Sequence, residues 1–324
     1  MEGDGSIVAA IRFMKISVIT PCLNREEFIA EAVESVTAQN YPEFEHWLID
    51  GGSTDRTLSI ARRYPHLHVV SEPDHGVYDA FNKGLKLATG EVIALLNSDD
   101  LFVPGAFRLC ANLFRNAVGT MIVSGGCQIF RRSSAGREIE MHRYEDARRY
   151  QLSLRNVTIG LPIINARFFR RSVFEKIGDF NLDYPIAADR DFLIRAALAQ
   201  IPDAPVSRIL YRYRWHAKSL TMNAGGDSLL KGMGDGLRII QRLVDDQKLP
   251  SDQLVLLDRW RRECLATEVM IHALNRRPRK AFSTALAQSH RDVLFPLTFL
   301  RLGTLAIARR CRTRYRLLRA KDEA

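Results

Sequence analysis

The stretch "EVIALLNSDD", residues 91–100, begins as a strand and breaks off as something else. Val92 to Leu96 is an uninterrupted apolar run of the kind buried on both faces of a sheet. Asn97, Ser98, Asp99 and Asp100 follow at once. Two adjacent carboxylates repel each other unless a cation or a set of hydrogen-bond donors holds them. The same residues also suit a plain turn, because Asn, Ser and Asp are common turn formers and an Asp can cap a following helix. These ten residues alone do not choose between a turn and a cation site.

The residues upstream repeat the same shape. "KISVIT" (15–20) reads as a first strand, followed by a helix over 24–39 with Asn24 as N-cap and Glu27 three residues on. "FEHWLID" (44–50) is a second strand, and "GGSTDRT" turns into a helix running to about Tyr64. "HVVSE" (68–72) is a third strand, Tyr78 to Ala88 a third helix, and "EVIALLN" a fourth strand. Strands alternating with helices at short spacing predict βαβ units and a mostly parallel sheet, an α/β fold. In such sheets ligands bind beyond the carboxyl ends of the strands. Polar residues gather there: Thr20, Pro21 and Asn24; Asp50 and Ser53; Ser71, Glu72 and Asp74; then Asn97 to Asp100. They outline a cleft. The first turn, "TPCLNREEF", has neither GxGxxG nor GxxxxGKS, so a glycine nest for phosphate is excluded. A divalent cation on Asp99 is the alternative, since Mg²⁺ binds through one or two carboxylates plus substrate phosphate oxygens.

Composition narrows the class. With 324 residues and 46% hydrophobic content, the chain suffices for one large domain or for one domain plus an extension. Five cysteines without CxxC or ligand spacing suggest neither a disulfide frame nor a zinc site, and fit a reducing cytoplasm. The opening "MEGDGSIVAAIRFMK" is acidic at first and interrupted by Arg12, unlike a signal peptide, and Met14 is a candidate start. The most apolar run, "VLFPLTFLRLGTLAIA" (293–308), carries Pro296 and Arg301 and is too broken to span a membrane. Charge is unevenly placed: of the net +10, +8 lies between Arg279 and Ala324. No nucleic-acid motif accompanies it, so an anionic membrane surface is the expected partner, not DNA or RNA.

Four stretches in order, "ISVITPCLNREEFIAEAVESVTAQNYPEFEHWLIDGGSTDRT", "SEPDHGVYDAFNKGLKLATGEVIALLNSDD", "FFRRSVFEKIGDFN" and "AADRDFLIRAAL", resemble a family 2 glycosyltransferase of the GT-A fold over roughly residues 14–218. The resemblance implies a nucleotide-sugar half (14–100), an acceptor half (101–218), and a C-terminal helical extension (219–324) with a basic amphipathic tail. It implies that Thr20, Pro21, Asn24, Asp50, Ser53, Asn82 and Lys83 line the nucleotide pocket. Asn97–Ser98–Asp99 stands where the family has its DxD motif, so Asp99 is the implied ligand of Mg²⁺ or Mn²⁺. Asn97 in place of Asp removes one charge near that metal. In "AADRD", Asp189 keeps the position of the catalytic base although Ala188 replaces the first acid of the usual pair; its other reading is the N-cap of a helix over 190–200. His216 in "YRYRWHAKSLT" stands where relatives carry a His near metal and leaving group, though a His after aromatics is commonly structural.

The implied reaction moves a sugar from a nucleotide-diphosphate sugar, a UDP-sugar favoured, to a hydroxyl of a glycan or lipid-linked acceptor. One base and no second nucleophilic carboxylate fit single displacement with inversion. Cell-surface polysaccharide synthesis and a peripheral position on the inner face of the membrane follow from the same resemblance and the basic tail. Two other readings compete. A sugar nucleotidyltransferase needs a Gly-rich, basic triphosphate loop after the first strand, which "TPCLNREE" is not. A non-catalytic nucleotide-sugar-binding partner would be expected to lack Asp99 or Asp189, and both are present.

Overall fold

The apolar runs become the strands of a single sheet. The structure, a computed structural model, describes residues 12–160, 162–216, 219, 227–246, 249–275 and 277–302. The first half runs β1 (Ile16–Cys22), α1 (Ile29–Thr37), β2 (Phe44–Asp50), α2 (Thr57–Ala61), β3 (Leu67–Ser71), α3 (Val77–Leu87) and β4 (Val92–Leu95). It continues with β5 (Leu101–Phe102), α4 (Ala106–Asn116), β6 (Ile122–Arg132), β7 (Glu138–Tyr144), α5 (Ala147–Tyr150) and α6 (Leu154–Thr158). Then come β8 (Arg167–Arg170), α7 (Arg171–Ile177), α8 (Ala188–Leu198) and β9 (Asp203–Arg214). The helices α9 (Asp227–Asp246), α10 (Ser251–Leu274) and α11 (Pro278–Arg291) follow.

Strand order is β3-β2-β1-β4-β8-β6-β9-β5, with β7 also on β6. β3, β2, β1 and β4 are mutually parallel. β8 joins antiparallel between β4 and β6, and β9 lies parallel to β6 and antiparallel to β5. The chain winds from β1 outward to β3 and then returns to place β4 on the other side of β1. That reversal is the topological switch point, and it opens a crevice at the carboxyl ends of β1 and β4. β1 is buried along its whole length and β4 likewise, as their unbroken apolar runs require. α1 buries Ile29, Ala32, Val33 and Val36, one stripe at helical spacing.

Two local expectations are corrected. α1 starts at Ile29, not at residue 24. Asn24 adopts a left-handed φ of 51°, and its Oδ1 accepts from the Thr54 amide at 2.8 Å. An Asn tolerates that conformation and so serves a loop-to-loop contact as readily as a cap. The helix after "GGSTDRT" is only α2, because Gly51 to Asp55 are used by the loop.

Contacts group the chain into two units. The first comprises the described residues of Met1–Leu152, Ile163–Leu182 and Arg195–Arg214, and holds the whole sheet. The second comprises those of Ser153–Pro162, Asp183–Ile194 and Trp215–Ala324. Sequence order separates a transferase domain from an extension near residue 218; contacts instead place 153–162 and 183–194 with the C-terminal helices. The basic residues 303–324 lie outside the described residues.

Two buried titratable groups on β2 make stability depend on acid. Burial, with His66 and His68 nearby, lowers the fully buried His46 to about 3 from an ordinary 6.5. Glu45 is lowered to about 2 by Lys15, Ser17 and Thr89, which outweigh its desolvation. Both folded values are depressed, so both contributions are complete above the unfolded values. His46 loses its share as pH falls from 6.5 toward 3, and Glu45 as pH falls from 4.5 toward 2. The His46 term alone reaches on the order of 4–5 kcal/mol once fully developed. Urea midpoints should therefore fall between pH 7 and pH 5, and His46→Gln should flatten that slope. An equally steep slope in the variant would remove His46 as its source.

Candidate active site

The loop 97–100 is both a turn and the mount of a half-buried carboxylate. The Asp100 amide donates to the Asn97 carbonyl at 3.1 Å, which closes the turn. The Asp100 side chain is buried and points into the protein. Its Oδ2 accepts from the Tyr211 hydroxyl at 2.7 Å and from Asn97 Nδ2 at 3.1 Å, and its Oδ1 from the Arg214 amide at 2.7 Å. Burial, and secondarily the charge of Asp99, push the Asp100 carboxyl well above the usual carboxylate range. The repulsion implied by two adjacent acids is thus relieved by burying one of them among donors.

Asp99 faces the other way, with 16% of its side chain open and Arg25 Nε 3.7 Å from Oδ2. Behind it, Arg214 Nε donates to the Asp99 carbonyl at 2.9 Å. The Arg214 guanidinium also pairs with Glu31 at 3.0 Å and lies over the Phe28 and Phe130 rings. Tyr211 and Arg214 are three apart on β9, so the strand holds the loop through the Tyr211 hydroxyl on one face and through the backbone amide and guanidinium of Arg214. Ser98 is buried beside Cys22, to whose thiol it is hydrogen-bonded. Burial, then the charge of Asp50, push that thiol up to about 12, which makes it unreactive. Asn97 holds Asp100 through its Nδ2, and Asn165 approaches its Oδ1 at 3.4 Å.

The other predicted residues of the sheet unit sit on the same edge, several as its framework. Asp50 is fully buried. It accepts from the amides of Gly52 and Ser53 at 3.1 and 2.9 Å, from the Ser53 hydroxyl, and from Ser71 Oγ at 2.8 Å. Ser53 Oγ in turn accepts from the Asn24 amide at 2.8 Å, so the loops after β1 and β2 are one hydrogen-bonded assembly. Gly52 is required there by its φ of +93°, and a Cβ on Gly51 would meet Asp74 Oδ2 at 2.5 Å. Thr20 is buried against His46 Nε2 at 2.8 Å, and Pro21 is buried beside it. Asn82 exchanges two hydrogen bonds with the Phe180 backbone, at 2.9 and 3.0 Å. Lys83 bridges Glu72 at 2.9 Å and the Pro73 carbonyl at 2.8 Å.

Asp189 and His216 belong to the helical unit. Asp189 is the second residue of α8, half-buried, with its Oδ1 accepting from the Arg190 amide at 2.7 Å. The helix begins two residues earlier than the expected 190, and another residue caps it. Asp235 on α9 accepts from the amides of Ile186 and Ala187 at 2.9 and 3.2 Å. Its neighbours hold the same segment: Arg242 pairs with the buried Asp191 at 2.7 Å, and Arg190 reaches the Thr158 carbonyl and lies 5.3 Å over Trp260. His216 closes a short turn, its amide donating to Ser219 Oγ at 3.2 Å and its carbonyl accepting from the Ser219 amide at 3.0 Å. Sequence reasoning missed Arg25, Tyr211, Arg214 and Asp235, and did not foresee that Asp100 turns inward. Only the alternation in "YRYR" hinted at a second face on β9. Asp235→Ala should lower stability by about 2–4 kcal/mol, since it strands two buried amides and the Arg238 partner. A denaturation midpoint unchanged from the parent would show that water replaces the cap.

Residues that could hold a divalent cation are few. Asp100 has its oxygens engaged, and among the described residues no group of three His, Cys, Asp or Glu side chains could hold a metal alone. Asp99 by itself suits an ion that takes its remaining ligands from a diphosphate and water, and does not suit a cage made wholly of protein.

Comparison with known proteins identifies the family of the chain. The family described as glycosyl transferase family 2 matches residues 17–178. A PGL/p-HBAD biosynthesis glycosyltransferase of Mycobacterium tuberculosis is 34% identical over 188 residues, covering 55% of this chain and 68% of that protein. An uncharacterised glycosyltransferase of the same species is 33% identical over 192 residues, covering 58% and 70%. Among solved structures, the mannosyltransferase PcManGT of Pyrobaculum calidifontis, in complex with GDP-Man and Mn²⁺, aligns with a TM-score of 0.60 at 19% identity, covering 94% of this chain and 84% of that one. Residues 1–349 of S. aureus TarS with UDP-GlcNAc give 0.58 at 19% identity, covering 94% and 92%. These structural likenesses speak for the GT-A fold. By its matched domain and its named relatives, the chain belongs to glycosyltransferase family 2 and is a transferase.

Proposed function

We propose that this glycosyltransferase moves a sugar from a nucleotide-diphosphate sugar to a hydroxyl of a glycan or lipid-linked acceptor, with a divalent cation and with inversion. The observation that carries the reading is the division of labour in the 97–100 loop: Asp100 turned inward and fully engaged, Asp99 presented beside Arg25. Nucleotide sugars in the related folds, UDP-GlcNAc in one and GDP-Man with Mn²⁺ in the other, support such a donor. Asp99 would hold Mg²⁺ or Mn²⁺, which when bound supplies Lewis-acid stabilisation of the departing diphosphate. Arg25 adds a fixed positive charge near the same place. The hydrogen-bonded loops of Asn24, Asp50 and Ser53, with Thr20, Pro21, Asn82, Lys83, Asn97 and Ser98, frame the nucleotide. Asp189 takes the proton from the acceptor hydroxyl as its oxygen bonds to the anomeric carbon and the bond to the diphosphate breaks. His216 is the candidate for a second ligand.

The acceptor and its setting are part of the same proposal. A lipid-linked acceptor fits a protein held at the inner face of a membrane by its basic C-terminal segment, in cell-surface polysaccharide synthesis. Among the described residues, no helix is long and apolar enough to cross a membrane. Incubating the purified full chain with a panel of UDP-, GDP- and dTDP-sugars tests the reaction class. One donor class should be slowly hydrolysed with Mn²⁺ or Mg²⁺, releasing nucleoside diphosphate, and chelation should stop it. Release of pyrophosphate, or metal-dependent binding to none of the donors, would overturn the reading.

A further inference from the structure

In the helical unit, α11 and a following helix over 295–302 dock on α10 through one side only. Ala281 and Phe295 are buried there with Leu265, Ala266 and Val269. The remaining large apolar side chains face outward: Phe282 (70% exposed), Leu286, Val293 (86%), Leu294, Leu297 and Leu300. Phe282 and Leu286 are four apart on α11 and Leu297 and Leu300 three apart on the next helix, so each pair shares a helix face, with Val293 and Leu294 in the turn between the helices. Single exposed hydrophobics need no explanation. Here, however, six of the fourteen large ones among the described residues fall between Phe282 and Leu300. Arg279, Lys280 and Arg291 stand exposed among them. The one acid in the stretch, Asp292, is neutralised by Arg261 and Arg262 at 2.9 and 3.3 Å. The sequence after Leu302 adds seven Lys or Arg against two acids.

Charge selects the occupant. A second copy meeting this face symmetrically would set like charges against each other. A nucleic acid would take the cations and leave six apolar side chains without a partner. An anionic bilayer takes both at once, with cations at headgroup depth and apolar groups at the acyl boundary. We propose that α11 and the 295–302 helix form a lipid-inserting face. Phe282, Leu286, Val293, Leu294, Leu297 and Leu300 enter the acyl boundary, while Arg279, Lys280 and Arg291 remain among the lipid phosphates. This rests on the membrane reading above and adds insertion to it. Binding then has an apolar part that salt does not remove, beside an ionic part that it does.

Truncation is a poor test, because removing residues after 278 would uncover Leu265, Ala266 and Val269. Point substitutions on the outer face avoid that. The full chain and a Phe282→Ser/Leu297→Ser variant are sedimented with phosphatidylglycerol-containing and pure phosphatidylcholine vesicles at low and high salt. Metal-dependent donor hydrolysis, expected to be equal in both, confirms that the variant is folded. The parent should bind the anionic vesicles and keep a measurable share of that binding at high salt. The variant should bind at least about tenfold more weakly and release fully with salt. Equal binding by both proteins, wholly reversed by salt, would overturn insertion while leaving a peripheral ionic contact in place. Absence of binding to either vesicle would overturn both. A parent that is dimeric where the variant is monomeric would assign the face to a second copy instead.

Discussion

Asp189→Asn should slow glycosyl transfer by about 10²-fold or more while donor affinity stays near that of the parent. The asymmetry follows from the proposed role, since a base touches the acceptor hydroxyl and not the nucleotide. It also separates catalysis from support. Asp189 Oδ1 takes the Arg190 amide, an acceptor that Asn keeps, and Asp235 takes the amides of Ile186 and Ala187. The substitution should therefore leave the unfolding midpoint nearly unchanged. A parallel fall in donor affinity, turnover and stability would mean that Asp189 holds the segment together and that the base lies elsewhere. Single-turnover rates with saturating donor, set against nucleotide binding measured by calorimetry, distinguish the outcomes.

Asp99→Asn should abolish most metal-dependent donor binding and cost about 10² or more in turnover, the scale of losing a Lewis acid's charge stabilisation. The neighbouring acid makes the control. Asp100→Ala should leave Tyr211, Asn97 and the Arg214 amide without their acceptor, and so lower stability by about 2–4 kcal/mol. Adjacent carboxylates would then give opposite phenotypes, one chemical and one structural. Titration with UDP or GDP and Mn²⁺, alongside thermal unfolding of both variants, reads this directly. If Asp99→Asn binds nucleotide and Mn²⁺ like the parent, the metal assignment is wrong.

How far the sequence reveals this arrangement depends on the range of each interaction. The strands β1, β2 and β4 were legible because burial on two faces demands apolar runs, which few other structures tolerate. The polar strand ends were legible for the complementary reason that such runs stop where a cleft opens. What Asn24 does was not, since the same side chain that caps a helix also closes a loop onto Thr54, thirty residues on. The start of α8 was misplaced because its cap comes from Asp235, on a different helix. The choice between Asp99 and Asp100 was invisible locally, for it is made by Tyr211 and Arg214 from a strand more than a hundred residues later. Local chemistry shows which residues can act. Distant partners decide how each of them is held.

The latch on Asp100 also has a consequence for the order of synthesis. Chains leave the ribosome amino end first, and domains fold as units as they emerge. All four parallel strands and the 97–100 loop are available once the first hundred residues have appeared. Yet β5 has its partner, and Asp100 its donors other than Asn97, only when β9 has emerged through Arg214. Until then Asp100 remains beside Asp99 in water, and the loop lacks its inward anchor. The strands that flank the 97–100 loop are thus made early, but the loop gains its inward anchor only after Arg214, about two thirds of the way along the chain, has emerged.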